Sequence, residues 1–116
     1  MADSQINQSM LSLSIRDISI LNAYYMPFIK QGGLFVPTQR SHRLGDEVIV
    51  LLHLMDEPER TPVVGRVVML VPKQLDTLRP RGIVIQFDAV EGQAVRQHIE
   101  DYLTRLNASI QPSLAF

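Results

Sequence analysis

The sequence predicts a mainly β protein, a small β-barrel built from hairpins and closed by one C-terminal helix. The first observation is residues 24–38, where bulky apolar side chains flank a Lys-Gln-Gly-Gly turn at 30–33. Glycine permits positive φ, so the chain can reverse sharply there between two extended segments. The second observation is that the following apolar runs are short and separated by turn signals, until a helical stripe begins near residue 89.

Length and composition limit the possible functions. A chain of 116 residues is long enough for one domain with its own core. It has no cysteine, which excludes disulfides and thiolate metal sites and favours a reducing, cytoplasmic compartment. Its formal net charge of −1 provides no general field for nucleic acid or an anionic membrane.

The N-terminal residues predict a loose arm followed by a strand. Residues 1–9 are polar, with neither the basic nor the apolar part of a secretory signal, so we expect a flexible arm. No apolar run approaches the ~18 residues that a membrane span needs. Residues 11–16 alternate strictly between apolar and polar, which predicts the first strand.

The next segment has no clear period. The apolar residues of 18–25 fit either a short strand or a helical turn, and we predict a second strand that ends before Pro27, which blocks a helix. Residues 34–36 predict a short third strand, stopped by Pro37.

Three further strands are expected. Residues 47–55 are almost wholly apolar, which predicts a central strand covered on both faces, by the barrel interior and by the only helix. Residues 61–71 form its partner, with Gly65 at a bulge or bend, and residues 82–87 form the last strand.

A capping signal and an apolar stripe predict the C-terminal helix at about 89–107. Asp88 followed by Glu91 matches a capping box. The residues that share one helical face are Val95, Ile99, Tyr102, Leu103 and Leu106. Asn107 is the predicted stop, and Pro112 argues against helix in an apolar tail at 108–116. That tail either folds back on the barrel or occupies a groove of a partner.

The sequence predicts no catalytic residue, no cofactor and no metal site. Three scattered histidines, at 42, 53 and 98, and the absence of cysteine and of Gly-x-Ser-x-Gly give no nucleophile with a base. We expect His53 to be a hydrogen-bonded strand residue and His98 to lie on the helix surface. The Gly32-Gly33 pair lacks the spacing of a phosphate loop and is interpreted as a turn.

The loop after the third strand carries Arg40, His42 and Arg43. These side chains could hold an anion. A short basic patch on a loop is more often merely solvated, which is the interpretation that the unremarkable net charge favours.

Aromatic and apolar residues near the turn are the best candidates for a partner surface. Tyr24, Tyr25, Met26 and Phe28 cannot all face a core if they lie in a strand, because adjacent side chains point to opposite faces. Exposed side chains of these types anchor protein interfaces. The alternative is that the helix or the first strand covers them.

Several segments together resemble the PilZ domain family over roughly residues 10–105. They are residues 10–17, 23–30, 32–38, 44–48, 51–52, 54–59, 72–73 and 82–87. The run at 25–38 and the Leu-Met-Asp-Glu-Pro-Glu segment at 54–59 are similar to the pilus-assembly branch of that family. The resemblance implies a six-stranded antiparallel Greek-key β-barrel with a C-terminal helix, here residues 10–107.

Most members of the family are receptors for cyclic di-GMP, with an Arg-x-x-x-Arg motif and an Asp/Asn-x-Ser-x-x-Gly motif. When the glycine of the second motif is placed on Gly33, Phe28 replaces the Asp or Asn and Lys30 replaces the Ser. No two arginines in the chain are four residues apart. The bidentate guanidinium contacts therefore have no source, and we predict that the chain does not bind the dinucleotide.

The pilus-assembly branch implies an adaptor. Its members contact the pilus extension ATPase and, in some bacteria, the EAL domain of a regulator that binds cyclic di-GMP. We therefore predict a monomeric, non-enzymatic adaptor in type IV pilus biogenesis and twitching motility. Its partner-binding residues would be Tyr24, Tyr25, Met26 and Phe28, with a second contact at Leu114 and Phe116. A cyclic di-GMP receptor is the alternative.

Overall fold

The computed structural model describes residues 9–73 and 80–114, with side chains for 9–73 and 80–105. Six strands and two helices make up the described fold. In chain order they are β1 (Ser9–Ile15), α1 (Ile18–Tyr24), β2 (Tyr25–Met26), β3 (Gly33–Pro37), β4 (Glu47–Leu54), β5 (Thr61–Val71), β6 (Gly82–Phe87) and α2 (Gln93–Leu114).

The six strands form one mixed sheet in the order β1-β4-β5-β6-β3-β2. The predicted number of strands and the C-terminal helix are confirmed. The all-antiparallel arrangement is wrong, because β1 runs parallel to β4, from Ser9 beside Val48 to Ile15 beside Leu54. Alternation predicts a strand but not its direction or its partner. Within the described residues β1 and β2 do not pair, so this sheet is open and closure into a Greek-key barrel is not confirmed.

Helix α1 occupies the segment from Ile18, for which the sequence left a short strand or a helical turn open, and the predicted second strand is the two-residue β2, which ends before Pro27. The N-cap of α1 is Asp17, whose Oδ1 accepts hydrogen bonds from the backbone N of Ser19 at 2.8 Å and from its Oγ at 2.7 Å. These bonds stabilise the carboxylate and lower the pKa of Asp17. The helix ends where Tyr25 turns to an extended conformation, two residues before Pro27. The expectation of a single helix is therefore also wrong.

The core lies on one face of β4 and not on both. Along β4 the buried residues are Val48, Val50, Leu52 and Leu54, and the residues between them are half-buried or exposed. The prediction that β4 is covered on both faces is wrong, because apolar composition alone does not distinguish double from single burial. Helix α2 adds Val95 and Ile99 to the same core cluster.

Asp88 begins the turn that leads into α2. Its Oδ2 accepts hydrogen bonds from the backbone N of Val90 at 3.0 Å and of Glu91 at 2.9 Å, and these bonds lower the pKa of Asp88. Its own backbone N donates to the Val64 carbonyl at 3.0 Å. That donor is consequently not available to Glu91, so only half of the predicted capping box can form.

Helix α2 runs on past the predicted stop at Asn107 and ends at Leu114. Asparagine in a helix is only about 0.5 kcal/mol less favourable than alanine. Without a following glycine, Asn107 therefore does not end the helix. Pro112 lies within the last turn of α2, so the expectation that it excludes helix from the tail is wrong. The predicted tail at 108–116 is thus helical to 114, and its side chains and residues 115–116 lie outside the described parts. Of the predicted arm at 1–9, Ser9 is the first residue of β1 and residues 1–8 lie outside the described parts.

Two carboxylates attach α2 to the rest of the fold. Glu100 accepts a hydrogen bond from Tyr25 Oη at 2.6 Å and pairs with Arg96 at 3.3 Å. Glu57, in the loop after β4, accepts hydrogen bonds from Tyr102 Oη and from His98 Nε2, the latter at 2.8 Å. Burial and then Glu100 raise the pKa of Tyr25 to about 12. The hydrogen bond to Glu57, followed by burial, raises the pKa of Tyr102 to about 12.

These two tyrosines predict a loss of stability at alkaline pH. A raised pKa means that the folded state keeps a proton that the unfolded state loses from about pH 10 upward. Their contribution is therefore fully present below pH ~10 and declines as the pH rises towards about 12. Urea unfolding between pH 8 and 12 should show this decline, and Tyr25→Phe and Tyr102→Phe should each make it shallower.

Tyr24→Phe is the matched control, because the Tyr24 hydroxyl has no hydrogen bond to another described residue. It should leave the wild-type pH profile unchanged. If the free energy of unfolding falls equally steeply with pH in all three variants, neither tyrosine–carboxylate contact controls the loss of stability at alkaline pH.

Candidate functional site

The turn between β2 and β3 is held in one conformation by backbone hydrogen bonds. The N of Ile29 donates to the Met26 carbonyl at 3.3 Å, and the N of Gly32 donates to the Ile29 carbonyl at 2.7 Å. Gln31 and Gly32 have φ of 72° and 88°, so the chain reverses through two left-handed residues. The Gly32 carbonyl then accepts from the N of Phe87 at 2.9 Å, which fixes the turn to the end of β6.

Gly33, the first residue of β3, has no room for a side chain. A Cβ placed there would lie 2.6 Å from Ile29 Cδ1 and 2.9 Å from the Ile85 carbonyl oxygen. Both distances are shorter than real Cβ contacts. The close approach of the turn and β6 therefore requires glycine at this position for packing alone.

Phe28 and Lys30 occupy the two positions before Gly33 that face solvent on this turn. The Phe28 side chain is 79% exposed, and Lys30 is exposed while its carbonyl accepts from Gln86 Nε2 at 2.9 Å. Neither side chain has an acceptor for a guanine N–H. The turn thus presents an apolar ring and a cation.

A cavity of about 250 Å³ lies beside this turn, against the start of β4, the middle of β5 and the end of β6. Its charged lining residues are Glu47, Asp88 and Arg66. Two carboxylates and one guanidinium give it a net negative lining, which repels a dianion. Its volume is also below that of typical small-molecule sites, about 300–1,000 Å³.

The predicted partner-binding residues lie partly in the core and partly on the surface. Tyr25 is 5% exposed and stacks on Phe87 at 6.4 Å, so it belongs to the core and its ring does not face a partner. Tyr24 is half-buried, with its ring edge-on to Phe35 at 5.1 Å. Met26 is half-buried, and Phe28 is the exposed member of the set. The side chain of Leu114 and the whole of Phe116 lie outside the described residues.

Sequence reasoning missed Ile20, which is 43% exposed on α1. Ile20 and Tyr24 are four residues apart on one helix and therefore lie on the same side of it. The missed signal was Asp17, a cap residue directly before the apolar segment. We define the docking surface as Ile20, Tyr24, Met26 and Phe28.

A comparison with protein-family models decides the family. The model described as the PilZ domain matches residues 7–105, which is most of the chain. The chain belongs to the PilZ domain family. No curated protein matches it. PilZ domains are in general binding domains, for cyclic di-GMP or for proteins.

The histidines of this PilZ domain have structural partners. His53 Nε2 donates to the Glu57 carbonyl at 2.7 Å, and its Nδ1 accepts from Ser14 Oγ at 3.2 Å, so the prediction of a hydrogen-bonded strand histidine is confirmed. His98 lies half-exposed on α2 and donates to Glu57. In the described ranges no three His, Asp or Glu residues are grouped as metal ligands. No described helix is long and apolar enough to cross a bilayer.

Gly33→Ala should destabilise the domain whether or not any ligand is present. The added methyl group meets Ile29 and the Ile85 carbonyl, and overpacking of this kind costs ~1–3 kcal/mol. Gly45→Ala is the comparison, because its φ is +91° but nothing lies within 4 Å of the new Cβ. That variant should lose only ~1 kcal/mol of backbone energy.

Urea unfolding of the wild type, Gly33→Ala and Gly45→Ala measures the loss of stability caused by each substitution. If Gly33→Ala is no less stable than Gly45→Ala, Gly33 is not required by the packing of the turn against β6.

Proposed function

We propose that this PilZ domain is a non-enzymatic adaptor of type IV pilus biogenesis and twitching motility. It binds protein partners through the docking surface and does not bind cyclic di-GMP. The observation that carries the proposal is Phe28, which is 79% exposed at the position where the family's dinucleotide motif has an Asp or Asn. An apolar ring of that size in water is stabilised when a partner covers it.

The electrostatics of the turn support the exclusion of the dinucleotide. The adjacent cavity is lined by two carboxylates, Glu47 and Asp88, and by one cation, Arg66, which is unfavourable for a ligand with two phosphates. Each missing charge-assisted hydrogen bond would remove ~1.5–3 kcal/mol of binding free energy. The loss of several such bonds weakens binding by orders of magnitude.

The docking surface has the composition of an interface centre. Aromatic residues and methionine are enriched at such centres, and here Phe28 and Tyr24 are joined by Met26. The turn is fixed by its hydrogen bonds to Met26, Ile29 and Phe87, so little conformational entropy is lost when a partner binds. A prearranged apolar surface of this kind fits a partner protein better than a polar ligand.

The partners follow from the resemblance to the pilus-assembly branch, carried by residues 25–38 and 54–59. They are the pilus extension ATPase and an EAL-domain regulator of cyclic di-GMP signalling. The protein would work as a monomer in the cytoplasm. The end of α2, with Leu114 and the following Phe116, is the second proposed contact.

The alternative function is that of a cyclic di-GMP receptor, which family membership itself favours. Calorimetry decides between the two. Titration of the full chain with cyclic di-GMP should give no binding heat, because Phe28 and Lys30 lack the acceptors that the motif supplies. A Phe28→Asp, Lys30→Ser variant tests whether those two side chains alone block the ligand. Micromolar binding by the wild type would establish the receptor function.

Phe28→Ala should weaken binding to the purified pilus extension ATPase by at least about tenfold. Truncation of a central aromatic residue commonly costs ~2 kcal/mol at an interface. Its stability should change little, because 79% of the side chain is already in water. Val90→Ala is the matched control, since Val90 is 75% exposed and lies outside the docking surface.

Biolayer interferometry with immobilised ATPase, run alongside thermal unfolding, separates binding from folding. Equal affinity of wild type and Phe28→Ala would reject the docking surface. A chain that ends at Asn107 tests the second contact, with α2 shortened by its last seven residues. Unchanged capture of that shortened chain would remove Leu114 and Phe116 from the interface.

A further inference from the structure

A larger cleft, of about 510 Å³, lies at the other end of β3 from Gly33. Three segments form its walls: the loop after β3, the end of β5 and the start of β6. Because β3 and β6 pair from Gly33 beside Gln86 to Pro37 beside Gly82, the length of that ladder separates the cleft from the turn at 28–33. The cleft is therefore a different place from the position of the family's dinucleotide motif.

Cations dominate the charged lining of this cleft. Arg40, Lys73 and Arg81 line it together with His42, and no described lining residue is acidic. Arg40 Nη1 donates to the Met10 carbonyl at 3.2 Å, and within the described ranges no carboxylate pairs with Lys73 or Arg81. Like charges around one cavity repel each other, so an anion bound between them lowers the energy of the site.

His42 also lines the cleft, on the loop after β3. Its Nδ1 lies 3.3 Å from the Arg40 carbonyl oxygen, which can only accept, so Nδ1 carries the hydrogen. This contact holds the ring against the backbone of Arg40, one of the cations of the cleft.

Leu70, Val71 and Ile83 form an apolar part of the wall of the cleft. An apolar wall with a few convergent polar groups is the usual form of a small-molecule site, and the volume falls within the usual ~300–1,000 Å³. The wall would hold the uncharged body of a ligand whose charged group is held by the cations.

We propose that this cleft binds a small ligand that carries a phosphate dianion, as a phosphate monoester or diphosphate, on an apolar body. A dianion matches a lining with three cations better than the singly charged phosphodiesters of a cyclic dinucleotide do. The proposal goes beyond the adaptor function and does not depend on it. The same chemistry could come from a soluble metabolite or from a lipid headgroup.

Titration of the ¹⁵N-labelled full chain with inorganic pyrophosphate tests the site. Amide shifts should change at Ser41, His42 and Gly82, with saturation in the millimolar range or below. Arg81→Gln and Lys73→Gln should each weaken binding by about fivefold or more, as the loss of a charge-assisted contact requires. Arg60→Gln, which removes the same charge from a loop outside the cleft, should leave the affinity unchanged.

A second experiment distinguishes a lipid headgroup from a soluble metabolite as the source of the phosphate. Sedimentation with vesicles that contain phosphatidic acid should retain the chain, and lose it in Arg81→Gln, if the ligand is a headgroup. Pyrophosphate binding without vesicle binding assigns a soluble ligand. The absence of both kinds of binding, or an equal loss in Arg60→Gln, overturns the proposal.

Discussion

The parallel pairing of β1 with β4 is the constraint on which the rest of the structure depends. Parallel neighbours cannot be joined by a tight hairpin, so the chain from residue 16 to 46 must cross from one to the other. That crossover contains α1, β2, β3 and the loop after β3. The docking surface, the turn at 28–33 and the Arg40 side of the cleft lie on it, while Lys73 and Arg81 of the cleft lie beside β5 and β6. Functional diversity within the PilZ domain can thus reside in one segment.

In the turn at 28–33, some residues are required by packing and others are free to vary with the ligand. Gly33 is retained because Ile29 and the Ile85 carbonyl leave no space for a Cβ, which is a packing requirement. Phe28 and Lys30 point to solvent, where their identity is free of that requirement. A glycine match to a binding motif is consequently weak evidence for binding, since the backbone alone can demand it.

Sequence reasoning predicted the strands that have strong alternation or clear turn signals. β1, β5 and β6 were found close to their observed bounds, and β3 to within a residue at each end. It left α1 undecided between a strand and a helical turn, because the cap residue Asp17 was not combined with the aperiodic segment that follows. The direction of β1 and the burial of Tyr25 depend on tertiary pairing, which no local pattern contains. At the site, the exposure of Phe28 was predictable from its place beside Pro27 in a turn. The placement of Arg40 and Arg81 in the lining of one cleft was not predictable, since the two arginines are 41 residues apart along the chain.

Tyr25 connects two regions that were predicted to act separately. Its ring lies in the core beside the turn, and its hydroxyl is hydrogen-bonded to Glu100 in the middle of α2. Glu100 is in turn paired with Arg96 one helical turn earlier. The position of β2 and the placement of α2 therefore share one hydrogen bond besides the common core. The strand that leads into the turn and the middle of the helix are cross-braced, so a change in the packing of one is felt at the other.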